Sequence, residues 1–323
     1  MTKRVLVTGG SGFIGTNLIE RLVKLGYYVV NVDIKPPKNT KYLTNYYFLD
    51  ITDQVALCEF ICDLKPQYLI HLAARTDLLG KTREDYKVNI GGVENICIAA
   101  SQCPSLKRIL FASSMLVCRA GYIPRDGYDY SATTAYGHSK VDGENIVRRY
   151  EKKLPSNIIF RPTSIWGPWF DVPYKTFFDI VLSRRYFKIG AKSCTKTYGY
   201  IENAVNQIIS LLISEDDFDD KNLNYIGDRI PVNVDDWAAL ISSVAGLHKP
   251  YSVPFPLIVL GGLFGDLLTL LGVTFPLTSF RVKNMTTDNI LSEFTVVNSF
   301  QSEEIEIKEG VKKTLKWLKI SAD

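Results

Sequence analysis

Residues Lys3 to Gly15 read KRVLVTGGSGFIG, and this stretch constrains the fold more than any other in the chain. Arg4 to Val7 is a short aliphatic run of the kind that suits a buried parallel strand. Thr8 to Gly12 is a glycine turn, and Phe13, Ile14, Leu18, Leu22 and Leu25 then recur at helical spacing. The glycines therefore lie where a strand hands over to a helix. Backbone N–H groups and the positive end of the helix dipole point outward at such a junction, with no Cβ to block a phosphate. Gly9 permits the tight turn, Gly12 the close approach of a pyrophosphate, and Gly15 close packing of the helix.

The spacing is G-x-x-G-x-x-G, which by itself fits any tight strand-to-helix turn. The next apolar run, Tyr28 to Val32, ends at Asp33. An acid at the tip of the second strand accepts a hydrogen bond from a ribose 2′-hydroxyl and repels a 2′-phosphate, so NAD is expected over NADP. Lys35 and Lys38 follow closely and soften that preference.

Further strands are expected over 46–49, 68–72, 107–112 and 157–161, with helices over 54–64, 85–100 and 136–150. Such alternation predicts an α/β fold built on a doubly wound parallel sheet. Beyond Gly167 the alternation fails. Prolines cluster at 162, 168 and 173, and helical pieces follow at 175–184, 201–214, 235–245 and 305–318. They predict a smaller C-terminal lobe closing over the carboxyl ends of the strands.

TGGSGFIG with Asp33, HLAA at His71 to Ala74, NIGGVENI from Asn89, the pair Ser113-Ser114 and Tyr136-Gly-His-Ser-Lys140 together resemble the extended short-chain dehydrogenase/reductase superfamily, in its NAD-dependent epimerase/dehydratase branch. The resemblance covers most of residues 3–210 and the last dozen or so. It implies a Rossmann domain over 1–165 and a mainly substrate-binding lobe over 166–323, with some segments returning to the first domain. It implies NAD held by Gly9, Gly12, Phe13, Ile14, Asp33, Asp50, Ile51, Leu72, Ala73, Ala74, Asn89, Tyr136 and Lys140. Asp50-Ile51 would meet the adenine, although Thr52 and Asp53 also suit a helix cap. A homodimer through helices 85–100 and 136–150 is implied as well.

Tyr136 and Lys140 stand four apart and share one helix face. A phenol near pKa 10 is a poor base at neutral pH, and a neighbouring ammonium is expected to lower it. Ser114, three residues before Val117, is expected to hydrogen-bond the reacting oxygen. Met115-Leu116 stand where a 4,6-dehydratase of this branch carries an Asp-Glu pair; two apolar residues cannot transfer protons, so dehydration is excluded. The reading favoured is a nucleotide-sugar epimerase of surface-polysaccharide synthesis. A keto-reductase or dehydrogenase, including a 3β-hydroxysteroid type, is the alternative. A non-catalytic NAD sensor has no use for a complete Ser114, Tyr136 and Lys140 set.

KSCTKTYGYIEN, from Lys192 to Asn203, resembles the substrate segment of nucleotide-sugar epimerases. It puts Lys196 where an Arg contacts the substrate diphosphate. Arg184, Arg185 and Arg281 are further diphosphate candidates, or else solvated surface bases. RPTSIWGP resembles a turn near nicotinamide and sugar, which makes Thr163 a substrate contact. Trp166 and Trp169 offer a flat face to a sugar or pack between the lobes.

The 323 residues carry a net charge of +4 with no basic block, which gives no indication of nucleic-acid binding. Cysteines 58, 62, 97, 103, 118 and 194 form no C-x-x-C pair and there are three histidines, so free thiols and no metal site are expected. A strand starting almost at Met1 leaves no room for a signal peptide, so a cytoplasmic chain is expected. Phe255 to Leu277 is nearly all apolar but is interrupted by Asp266 and bounded by prolines. It is expected to pack as a buried or interfacial amphipathic helix without stable membrane insertion, peripheral membrane contact being the other reading.

Overall fold

The computed structural model describes residues 2–214, 224–273, 277–291, 296–298 and 303–320. Its centre is a parallel sheet of β1 (Arg4–Thr8), β2 (Tyr28–Asp33), β3 (Tyr46–Phe48), β4 (Tyr68–His71), β5 (Arg108–Ala112) and β6 (Ser156–Pro162), completed by a short late strand at Tyr225–Ile226. The order runs Tyr225–Ile226, β6, β5, β4, β1, β2, β3. Val5 pairs with Val29 of β2 on one side and with Tyr68 of β4 on the other. Strand order reverses at β1, so the crevice for a ligand opens outside the carboxyl ends of β1 and β4.

Side chains alternate across the sheet, and each face supplies its own core. Val5, Val7, Val29 and Ile70 join the core that includes α1 (Phe13–Lys24), through Leu18 and Leu22. Leu6, Val30, Leu69 and Ile109 join the opposite core. That second core is closed by α2 (Gln54–Leu64), α3 (Lys87–Ser101) and α4 (Ala135–Tyr150). A 3₁₀ turn over Glu84–Tyr86 precedes α3, so the expected helix begins with a tighter turn.

The remaining elements are β7 (Ser164–Trp166), α5 (Tyr174–Leu182), β8 (Phe187–Lys188), β9 (Thr195–Lys196), β10 (Tyr198–Tyr200), α6 (Ile201–Ile213), β11 (Tyr225–Ile226, the late strand above), β12 (Val232–Asn233), α7 (Val234–Val244), β13 (Tyr251–Ser252), α8 (Phe255–Leu270), α9 (Ser279–Thr286) and α10 (Ile307–Ile320). β7 pairs with β10 and β8 with β13, both parallel, whereas β9 and β12 are antiparallel. α6 packs on α1 and β5, and β11 pairs with β6, so both belong spatially to the sheet.

Trp166 sits at the centre of an aromatic cluster. It is fully buried, with ring centroids 5.8 Å from Phe178, 5.0 Å from Tyr200 and 5.2 Å from Trp237. The sugar-stacking alternative for Trp166 is thereby overturned, because its ring faces are taken by other aromatics. Trp169 lies 5.9 Å from Trp317.

The apolar segment forms α8, and residues 274–276, including Pro276, lie outside the described residues. No helix among the described residues is long and apolar enough to cross a membrane.

Candidate active site

The glycine loop closes tightly onto the strand ends. Gly9 sits at φ +71°, and a Cβ there would lie 2.5 Å from the Ala73 backbone nitrogen. Only glycine meets both conditions without strain. Gly12, by contrast, has open space on its Cβ side apart from the Gly9 carbonyl at 3.2 Å. No side chain caps α1 and its first turn holds no acid, whereas Thr134 caps α4 by accepting from Gly137 N. The N–H groups of the first turn of α1 therefore face the crevice without a side-chain acceptor.

Asp33, at the tip of β2, is fixed by two backbone donors. Ser11 N donates to its Oδ2 at 3.1 Å and Lys35 N to its Oδ1 at 3.0 Å. Lys38, the base expected to soften the choice of cofactor, donates to Asp171 at 2.7 Å and to the Trp169 carbonyl at 3.3 Å. Asp50 accepts from Thr52 N and Oγ1, both at 2.8 Å, and Asp53 is the residue that caps α2. Ile51 is buried, packed where Gly92 leaves room on α3.

Leu72, Ala73 and Ala74 follow β4 directly, with Leu72 N bonded to the Thr8 carbonyl at 2.9 Å. His71 is buried, its Nδ1 2.7 Å from Thr8 Oγ1. Burial and, next, the Lys140 charge lower its pKa to about 3, so it remains neutral. Asn89 Oδ1 accepts from Arg75 N at 2.7 Å, and its Nδ2 donates to the Arg75 carbonyl and to Ser139 Oγ, both at 3.0 Å. One side chain thus clamps the loop after β4 to α4.

β5 delivers Ser113 and Ser114, and the chain then turns through a 3₁₀ segment at Met115–Val117. The two serines face different ways. Ser113 Oγ donates to Glu144 Oε1 at 2.5 Å, which commits it to the interior. Ser114 Oγ accepts from Leu116 N at 3.1 Å, and Ser114 lies near enough to the Tyr136 phenol to favour its ionised form. Lys140, buried one turn along α4, donates to the Ala112 carbonyl at 2.9 Å.

Burial raises the Tyr136 phenol to about 12, with Ser114 opposing it and Tyr86, 5.8 Å away ring to ring, adding to it. The lowering by Lys140 that the sequence anticipates is not among the causes at work. Lys140 is itself lowered to about 8 by burial, with Glu144 acting in the other direction, and its nitrogen is engaged by Ala112.

Sequence reasoning missed the group behind this set. Glu144 Oε1 accepts from Arg161 Nε at 2.9 Å, and Oε2 accepts from Arg161 Nη2 at 2.8 Å, Tyr130 Oη at 2.7 Å and Arg148 Nη2 at 3.3 Å. Burial pushes the Glu144 carboxyl up, but the Arg161 hydrogen bonds and charge outweigh it and hold the group below its ordinary value. The Lys140 to Glu144 spacing of one helical turn was the available signal.

The expected substrate contacts are more dispersed. Thr163, at the end of β6, is buried under Gly199 and Gly227, and its Oγ1 has no hydrogen-bond partner among the described residues. Lys196 donates to the Asn284 carbonyl at 2.9 Å. Arg281 is exposed one turn earlier on α9.

The sequence profile of the NAD dependent epimerase/dehydratase family matches residues 5–212. The chain belongs to the NAD dependent epimerase/dehydratase family. Among curated relatives of this family member, N-acetyl-alpha-D-glucosaminyl-diphospho-ditrans,octacis-undecaprenol 4-epimerase of Escherichia coli O157:H7 is 25% identical over 323 residues, covering 98% of this chain and 96% of the relative. A 3 beta-hydroxysteroid dehydrogenase/Delta 5-->4-isomerase of Mycobacterium tuberculosis is 27% identical over 268 residues, 76% of this chain and 70% of that one. Similar solved folds include the UDP-glucose 4-epimerase of Thermotoga maritima with UDP-glucose, with a TM-score of 0.73 at 20% identity, covering 99% of this chain and 100% of that one. The UDP-glucuronic acid 4-epimerase of Bacillus cereus in complex with NAD gives 0.74 at 19%, with the same coverage.

This family member is an NAD-dependent enzyme of the extended short-chain dehydrogenase/reductase type. The donor set fits the cofactor. The uncapped first turn of α1 and the open side of Gly12 suit a pyrophosphate, and the fixed carboxylate of Asp33 at the tip of β2 suits a ribose hydroxyl.

Proposed function

We propose that this family member inverts one carbinol centre of a diphosphate-linked sugar by transient oxidation, in the synthesis of a surface polysaccharide. The observation that carries this reading is the convergence of Ser114, at the end of β5, with Tyr136 and Lys140 one turn apart on α4, set beside the uncapped first turn of α1. Bound NAD supplies a reversible hydride acceptor. Tyr136 Oη, its phenol brought down from about 12 by the positive charge that bound NAD would add beside it, takes the proton of the sugar hydroxyl and later returns it. Ser114 Oγ donates to the same oxygen and holds it in place. Lys140 binds the nicotinamide ribose through its ammonium. Gly9, Gly12, Phe13, Ile14, Asp33, Asp50, Ile51, Leu72 to Ala74 and Asn89 form the rest of the cofactor site. Lys196, Arg281 and Thr163 line the sugar side.

The solved neighbours' names give nucleotide sugars as substrates, and the E. coli relative's name gives an N-acetylglucosaminyl diphosphate on a polyprenol. The reading places the enzyme in the cytoplasm as a homodimer through α3 and α4, which pack together on one face of the sheet.

A substrate deuterated at the inverted carbon tests it. Label retained in the epimer without net NADH is expected. NADH accumulating in step with a keto product would instead favour the dehydrogenase reading suggested by the M. tuberculosis relative.

A further inference from the structure

α8 is apolar all round, yet the protein covers only one side of it. Ile258, Gly262 and Gly265 are buried, and Gly262 lets Val282 of α9 approach so closely that a Cβ would lie 2.9 Å from its Cγ2. Asp266, the one charged residue of α8, turns to this covered side, where its Oδ1 accepts from Ser279 N at 3.0 Å. Leu257, Leu260, Leu263, Leu267, Leu270 and Leu271 fall on the opposite arc at 3.6 residues per turn, each more than half exposed. A continuous apolar surface of this kind marks an interaction site.

The charges around it select the occupant. Residues 184–192 and 249–283 hold Arg184, Arg185, Lys188, Lys192, Lys249, Arg281 and Lys283 against the single acid Asp266. β8 and β13 bring the 184–192 segment alongside the start of α8, where Tyr251 is 83% exposed. A second copy would bring the same cations face to face, whereas an anionic lipid leaflet answers both the leucines and the bases. Sixteen residues span about 24 Å, short of a hydrocarbon core of about 30 Å. The helix therefore suits the plane of the interface, with a tyrosine at its edge.

This unit also touches the segment that holds Lys196, the diphosphate contact of the proposed function. Lys196 donates to the Asn284 carbonyl of α9, Thr197 N donates to the Asn289 carbonyl at 3.0 Å, and Gly121 N donates to Asn289 Oδ1 at 3.2 Å. We infer that the leucine face of α8 docks reversibly on an anionic bilayer leaflet, and that the enzyme takes its sugar from a lipid diphosphate in that leaflet. The second half of this inference rests on the epimerase reading above.

The full chain with NAD is floated with vesicles of phosphatidylcholine alone or mixed with phosphatidylglycerol. The protein is expected to rise with the mixed vesicles, less so at high salt, and to be released by carbonate. Leu260→Glu/Leu263→Glu/Leu267→Glu is expected to cut the bound fraction about tenfold while keeping its circular dichroism and NAD affinity. Equal flotation of the variant, or none by the parent chain, would overturn the docking. So would a parent chain that sediments as a larger assembly than the variant without lipid, since a second copy would then cover the face. Turnover is then measured on a long-chain polyprenyl-diphosphate N-acetylhexosamine in the vesicles and on a water-soluble short-chain analogue. The variant should lose about tenfold on the first and nothing on the second. Equal turnover of the two by both proteins would overturn the lipid-substrate half. Flotation without turnover of any diphosphate sugar would defeat the epimerase reading while supporting the docking.

Discussion

Arg161 grips Glu144 with two parallel hydrogen bonds, Nε to Oε1 at 2.9 Å and Nη2 to Oε2 at 2.8 Å, one helical turn beyond Lys140 and fully inside the protein. The pair fixes α4 against β6 and holds Ser113 away from the reacting centre. Glu144→Gln leaves a buried guanidinium without its counter-charge, so unfolding in urea should show a loss of about 3–5 kcal/mol. Glu144 also raises the Lys140 pKa. In the variant the Lys140 titration should therefore move below about 8, read from the pH dependence of NAD affinity.

Tyr136→Phe removes one oxygen and keeps the ring beside Tyr86. Turnover should fall by about 10²–10⁴-fold with NAD affinity and melting temperature kept. Ser114→Ala should cost less, because water can replace a hydroxyl that donates to the oxygen. Steady-state kinetics of the two variants decide the order.

Lys140 titrates near 8 in the folded chain, below its ordinary 10.5. Between these values the unfolded chain binds more protons, so this residue's contribution to stability rises with pH from about 8 to 10.5 and its penalty is complete below about 8. The melting temperature of the NAD-free protein, minus that of Lys140→Met, should increase over that window. NAD affinity should run the other way and fall as the ammonium is lost.

Asp33 is held by two backbone donors, while Lys38 is engaged with Asp171 and Trp169. NAD should therefore bind more tightly than NADP, and Asp33→Ala should narrow the gap. Titrating both dinucleotides against both proteins checks this; equal NADP affinity in the parent chain would count against the assignment.

Trp166→Ala opens a cavity among Phe178, Tyr200 and Trp237. A loss of about 3–5 kcal/mol in denaturant unfolding is expected for an aromatic removed from a core. Were Trp166 instead a sugar platform, stability would be kept and only substrate affinity would fall.

Features that rest on neighbours a few residues apart are legible in the chain alone. The glycine turn after β1, Asp33 closing β2, the Tyr136–Lys140 face of α4 and the strand–helix alternation are all short-range patterns, and backbone geometry converts each directly into a local shape. Which distant groups meet is a matter of three-dimensional packing. Glu144 and Arg161 are 17 residues apart, and Asn89 and Ser139 are 50 apart. No local periodicity encodes either contact. The same holds for Trp166, where the motif predicts a turn but neighbouring aromatics decide that its ring is interior. It holds again for α8, whose composition leaves a buried and an interfacial helix both open. That only Ile258, Gly262 and Gly265 are covered depends on where α9 lies, because burial belongs to the packing of two elements and not to the sequence of one.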